Sequence, residues 1–227
     1  MSAGGRAGVL AVLAAGAIIG ALGQGPWWWL HWLCKPLATL WLIAWVAGMT
    51  VPVMRQGYRR WVLAGLCLSL LGDVLLMLPQ GLFVPGLVAF LLAHLCYIAA
   101  FAGDARAGAL PAGIGLATLI GAGNLLALWQ HLPAAMQVPV SAYVLVIAAM
   151  AALALAGAMR RMASLANRLA AGGALLFVAS DSWLAWDRFA GPLPLAIVGV
   201  LLTYWAAQYL IAASVQAGSC SDAAGPQ

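Results

Sequence analysis

Eight apolar stretches, parted by short breaks, restrict this chain to one kind of architecture. They run over 7–23, 34–51, 61–79, 82–102, 109–130, 138–158, 167–188 and 193–214. Each is roughly 17–23 residues long, enough to cross a hydrocarbon core about 30 Å thick as a helix. Backbone groups in lipid must be bonded within the protein, and the alternating ten-residue segments of a barrel are not seen in the sequence. The spacing therefore predicts an all-α, polytopic membrane bundle of about eight transmembrane helices. The breaks fall where helices stop: Gly25-Pro26, Pro52, Pro79 to Gly81, Gly103, Pro133, and Gly191 to Pro194. Only 7% of residues are charged, against about 25% in soluble domains. No hydrophilic block is long enough to fold apart, so residues 1–215 read as one transmembrane domain. Residues 216–227 read as a short polar tail expected to be disordered. The first stretch, with Arg6 before an Ala/Leu run, has the outline of a signal peptide. Ala21-Leu22-Gly23 is a mediocre cleavage site, so a retained helix is expected.

Basic residues set the expected orientation. Arg6, Arg55, Arg59, Arg60, Arg106, Arg160, Arg161 and Arg168 fall on one side of the spans; Lys35 and Arg188 fall on the other. This bias predicts that both termini are cytoplasmic. Trp27, Trp28, Trp29 and Trp32 then form an aromatic belt at the outer face. The net charge of +5 is thus a topology signal, and no nucleic-acid partner is expected. Heavy use of Ala, Leu and Trp, and of Arg over Lys, suggests a bacterial protein, placed in the inner (plasma) membrane. Cys34, Cys67, Cys96 and Cys220 have no metal or CxxC spacing and read as small apolar packers. With His31 and His131 at helix ends and no Cys/His cluster, neither a metal site nor a cofactor is expected. The sequence has no Gly-rich phosphate loop and no nucleophile elbow.

Against this apolar background two residues stand out. Asp73 lies within Leu68–Met77 and Asp181 within Leu176–Ala185. An acid near a helix centre in lipid costs roughly 2.5–3.5 kcal/mol on insertion scales, so intramembrane carboxylates mark functional sites by default. A structural contact between helices, or with Lys35, is the plainer reading. The sharper one has both facing a shared cavity. Burial disfavours a charged carboxyl, so two such groups would take up different protonation states, as paired acid and base work requires. His94 and Tyr97 share one helical face, as do Tyr204 and Gln208; together with the acids they read as a cavity lining. Lys35-Pro36 is expected to open the second helix, with Lys35 either snorkelling or holding a phosphate at the outer rim. Arg188 is expected either to pair with Asp187 or to meet a lipid headgroup. Asn124 reads as packing glue. Gly72-Asp73 with Leu76, and Ser180-Asp181 with Leu184, form a faint echo four helices apart, which fits two parallel halves.

Five segments in order carry a resemblance: Lys35-Pro36-Leu37-Ala38-Thr39; Ser69-Leu70-Leu71-Gly72-Asp73; Ala93-His94-Leu95-Cys96-Tyr97; Gly173-Ala174-Leu175-Leu176-Phe177 through Ser180-Asp181; and Tyr204 through Ile211. They resemble the YhhN family, the membrane family that includes the lysoplasmalogenases. The resemblance covers the second to the eighth helix. It implies an eight-helix ether hydrolase that cleaves the vinyl ether bond of a lysoplasmalogen drawn from the bilayer. The products would be a fatty aldehyde and glycerophosphoethanolamine or glycerophosphocholine. Such chemistry needs a proton donor and a nearby carboxylate, the division of labour used on glycosides. Asp73 and Asp181 would fill these roles. Tyr204, Gln208, His94 and Tyr97 would line the substrate site, and Lys35 with Arg188 would hold the phosphate. A small proton-coupled transporter or lipid flippase is the alternative, since relays also use intramembrane Asp, His and Tyr; a non-catalytic scaffold is a third reading.

Overall fold

The hydropathy pattern is realised as helices. The computed structural model describes residues 2–23, 26–104, 110–160 and 164–223. Among the described residues are eight α-helices and no strand: α1 (Ala3–Leu22), α2 (Trp28–Ala47), α3 (Gln56–Met77), α4 (Phe83–Ala102), α5 (Leu110–Leu128), α6 (Ala134–Arg160), α7 (Leu165–Phe189) and α8 (Ala196–Ala223). Each is long and apolar enough to cross a membrane. Val12, Leu119, Leu126, Val138 and Leu145 stand largely exposed on the outside, as lipid-facing side chains do. The expected turn at Pro79–Gly81 is present, with Gly81 in the left-handed region at φ 68°, where only glycine sits without strain.

Two ends differ from expectation. α2 begins at Trp28 rather than at 34, so Pro36 lies inside the helix instead of opening it. A mid-helix proline loses one backbone bond, and the packing of Ala38, Leu42 and Val46 in the core holds the helix together across it. The Trp27, Trp28, Trp29 and Trp32 side chains remain exposed, as an interfacial belt requires. α8 continues as far as Ala223 into the segment expected to be a polar tail. Ser219 there donates its hydroxyl back to the Val215 carbonyl at 3.0 Å, and Gly218 leaves room for the Arg55 guanidinium: a Cβ would come within 2.9 Å of Arg55 Cζ. Arg106, Arg161, the Arg160 and Cys220 side chains and residues 224–227 lie outside the described residues.

Small residues decide which helices meet. α3 packs most closely on α4, and α7 on α8. Gly65 and Gly72 on α3 lie against the rings of Tyr97 and Phe90 on α4; Gly173 on α7 lies against Ala207 and Ile211 on α8. Close backbone approach is what small residues give a membrane bundle. Gly16 and Gly20 serve the same end between α1 and α2, where Gly20 rests on the backbone of His31. His31 Nδ1 lies 2.9 Å from the Ala17 carbonyl, a further tie between the two helices. Arg55 pairs with Asp104 at 3.1 Å, and Arg59 donates to the Met49 carbonyl at 2.6 Å. These basic side chains tie the start of α3 to the ends of α2 and α4.

Candidate active site

Asp73 stands on α3, four residues before its end, and is 2% exposed. Its Oδ2 accepts from the Tyr204 hydroxyl of α8 at 2.7 Å and from Thr39 Oγ1 of α2 at 2.9 Å. Its Oδ1 faces Lys35 Nζ at 3.5 Å. Both oxygens are thus engaged, and a buried carboxylate tolerates its position only on those terms. Lys35 is not at an outer rim. Its side chain is 9% exposed, because the ammonium is drawn inward to compensate Asp73, and its charge is committed there.

Asp181 on α7 is placed differently. Its Oδ2 accepts from the Tyr143 hydroxyl of α6 at 2.6 Å, and His94 Nε2 of α4 lies 3.8 Å from the same oxygen. Among the described residues nothing bonds Oδ1. Asp181 opens onto a narrow, partly open cavity of roughly 80 Å³ framed by α3 to α7. The wall is aliphatic and aromatic; Asn124, Tyr143, Asp181 and Ser182 supply its polar points. A mostly apolar wall with a few placed polar groups is the usual lining of a small-molecule site.

The shared cavity expected for the two acids is not what the fold makes. The cavity reaches Asp181, and Asp73 is not among its lining residues. The connection between them runs through rings instead. Tyr204, bonded to Asp73, packs edge-on against Phe177 at 5.5 Å. Phe177 packs edge-on against His94 at 4.6 Å, and His94 faces Asp181. Aromatic side chains thus hold the two carboxylates in separate polar clusters. The clusters are nonetheless built alike. Asp73 on α3 takes side chains from α2 and α8; Asp181 on α7 takes them from α6 and α4. Each helix of one set is answered by the helix four places away. Gly65 and Asp73, and likewise Gly173 and Asp181, stand eight apart on α3 and α7, in keeping with the echo in the sequence.

The other expected residues separate into those near the cavity and those away from it. Tyr97 and Gln208 do not line it: Tyr97 donates its hydroxyl to Gln208 Oε1 at 2.7 Å, a buried bond joining α4 to α8. Arg188 is exposed and forms no ion pair among the described residues. Asp187 Oδ1 instead accepts from the Leu193 backbone at 2.8 Å, which turns the chain from α7 into α8. The Arg188 guanidinium lies over the Phe83 ring at 4.9 Å, and Phe83 meets Phe189 at 5.9 Å. Both phenylalanines line the cavity, so the guanidinium stands one ring away from its interior. Asn124 does more than pack. It donates to Ser182 Oγ and accepts from Trp186 Nε1, each at 2.8 Å, and so joins α5 to α7 on the cavity wall. Tyr143, Thr39 and Ser182 went unread in the sequence; a lone hydroxyl in an apolar run gives no periodic signal. No group of three His, Cys, Asp or Glu able to hold a metal occurs among the described residues.

The model for the YhhN family matches residues 30–215, from within α2 to within α8. The chain belongs to the YhhN family. Lysoplasmalogenase TMEM86B of Homo sapiens is 39% identical over 183 residues, covering 80% of this chain and 72% of the relative. Lysoplasmalogenase TMEM86A of Bos taurus is 37% identical over 190 residues, 80% and 75% of the two chains. A lysoplasmalogenase of Mycobacterium tuberculosis is 37% identical over 174 residues, 74% of this chain and 64% of the relative. No solved structure matches. The YhhN match includes both acid clusters and the cavity, and leaves α1 outside.

Proposed function

We propose that this YhhN protein is a membrane hydrolase that cleaves the vinyl ether bond of a lysoplasmalogen to a fatty aldehyde and a glycerophospho-base. The observation that carries the reading is Asp181, a carboxyl with one unbonded oxygen set in the wall of a greasy cavity, with the Arg188 guanidinium over a phenylalanine of that wall. An amphiphile fits this layout. Its alkenyl chain lies along the apolar wall, its ether reaches Asp181, and its phosphate meets Arg188, whose planar fork suits phosphate oxygens. The named activity of the curated relatives supports the same substrate class.

The chemistry needs one carboxyl used twice. Asp181 Oδ1–H gives its proton to the β-carbon of the C=C–O unit, and the α-carbon becomes an oxocarbenium ion. The carboxylate left behind stabilises that cation and takes a proton from water as the water oxygen bonds to the α-carbon. The hemiacetal then passes its hydroxyl proton to the departing glycerol oxygen and the C–O bond breaks, leaving the aldehyde. Asp181 ends protonated, as it began. Tyr143 holds Oδ2, with the His94 ring packed nearby, and leaves Oδ1 toward the cavity. Asp73, with Lys35, Thr39 and Tyr204, acts as a positioning cluster behind Phe177 and His94.

We place the protein in a bacterial plasma membrane with both termini cytoplasmic, which the grouping of basic residues supports. The test uses purified protein and a 1-alkenyl lysophosphatidylethanolamine, with free aldehyde as readout. Aldehyde should form, and Asp181→Asn should lower the rate by roughly 10²–10⁴-fold with unchanged thermal unfolding. Full activity in that variant would sink the assignment of the acid. Absence of aldehyde from the parent, with substrate crossing vesicles under a pH gradient, would sink the hydrolase reading.

A further inference from the structure

The end of the bundle away from Arg188 carries a second concavity, remote from the acid clusters. It holds roughly 530 Å³, open to the outside, between the N-terminal part of α1, the C-terminal part of α2 and the C-terminal part of α8. Arg6, Trp41, Trp45, Thr50, Gln216 and Ser219 line it, and among the described residues no carboxylate does. Its wall is short of acceptors: Nε of Arg6 and the indole N–H groups of Trp41 and Trp45 are buried without a hydrogen-bond partner. A buried donor left unmatched is costly, and native proteins leave few of them. The Arg6 guanidinium carbon lies over the Trp45 ring at 4.9 Å. This contact restrains the cation at the wall of the concavity.

We propose that this concavity binds the headgroup of an anionic glycerophospholipid. The charge and donor pattern selects the class. The Arg6 guanidinium, with the Thr50 hydroxyl and the Gln216 amide beside it, suits a phosphodiester bearing a single negative charge. A zwitterionic headgroup would bring an ammonium, for which the wall offers no carboxylate. The indole faces of Trp41 and Trp45, with Ala44, continue the site along α2 into the hydrocarbon zone, where the first part of an acyl chain would run. Indoles and arginines at the interface are suited to this mixed task. The site depends on Arg6 and on Gln216 and Ser219, which lie outside the span that matches the family. It is therefore a property of this chain, and it is independent of the reading of the cavity at Asp181.

The experiment titrates phosphatidylglycerol, phosphatidylcholine or inorganic phosphate into the full chain in neutral detergent micelles and follows thermal unfolding. A ligand of the native state raises the midpoint in a saturable way. Phosphatidylglycerol should do so, and the other two should not. Arg6→Gln should raise the half-saturating phosphatidylglycerol fraction about tenfold or more, as loss of a charge-assisted bond does, with hydrolysis in neutral micelles unchanged. Gln216→Leu, which keeps the cation, should weaken binding to a smaller extent and supplies the readout should Arg6→Gln fail to fold. An equal response to phosphatidylcholine overturns the proposal in favour of general lipid solvation. A saturable response to inorganic phosphate alone overturns it in favour of a free-anion site. Parent-like titration by the variants overturns it outright.

Discussion

Lys35→Met removes the cation beside a carboxylate that is 2% exposed. In the parent protein Asp73 is met by Lys35 at 3.5 Å, Tyr204 at 2.7 Å and Thr39 at 2.9 Å. Breaking one side of a buried ion pair costs about 3–5 kcal/mol, because the charge left behind has no compensation. The two hydroxyl bonds survive the substitution, so the low end of that range, about 3 kcal/mol, is expected here. Asp73→Asn made alone leaves the ammonium stranded and should cost a similar amount. The double variant removes both charges, while the Asn oxygen still accepts from Tyr204 and Thr39. Replacing a buried pair by neutral groups is often near neutral, so the double variant should lie within about 1–2 kcal/mol of the parent. The cycle is read from unfolding in mixed micelles of rising denaturing detergent, with Trp fluorescence as the signal. It should return a coupling of roughly 4–5 kcal/mol, the high end for a buried pair. Aldehyde release then separates the two acids: the double variant should keep measurable hydrolysis, which Asp181→Asn should not. Parent-like stability of Lys35→Met, or a double variant as unstable as the sum of the singles, would refute the account of this cluster. Complete loss of hydrolysis in a well-folded double variant would return Asp73 to direct chemistry.

Tyr143→Phe deletes the 2.6 Å bond to Asp181 and should lower kcat about tenfold or more, with KM little changed; a shift in KM alone would contradict the role given to Tyr143. Arg188→Gln should raise KM about tenfold at constant kcat for phosphate-bearing substrates, and should have no effect on a 1-alkenyl glycerol lacking phosphate. Gly173→Ala places a Cβ 2.7 Å from Ile211 Cγ1 and 2.9 Å from the Ala207 carbonyl; overpacking of this kind costs about 1–3 kcal/mol, visible as a lowered unfolding midpoint, whereas Gly115→Ala on an open surface should be neutral.

Most of the bundle is legible in the sequence because lipid imposes one rule on every span, and hydropathy records that rule. The misplaced ends have local causes. Trp28 to Leu33 read as an interfacial belt and also satisfy the first turns of α2, and a proline at 36 resembles a helix start although packing carries the helix through it. Asp73 and Asp181 are legible for the same reason as the spans: each is an expensive exception to an apolar run. Their surroundings are harder to read. The Tyr204 partner of Asp73 is 131 positions away, and nothing local marks Thr39 or Tyr143 as a donor. Lys35 shows the limit most plainly, since a lysine near a span end is ordinarily a snorkelling residue. Only the packing of α2 against α3 turns it inward.

The crossed construction of the two acid clusters has a consequence for biogenesis. The first four helices complete the partners of Asp73 only with the hydroxyl that arrives on the last one, and Asp181 on the seventh faces an imidazole supplied by the fourth. A nascent chain whose later spans insert wrongly would leave an acid facing hydrocarbon at a penalty of roughly 2.5–3.5 kcal/mol. The two buried acids therefore act as a lock on assembly, closing only when both ends of the polypeptide have found their places.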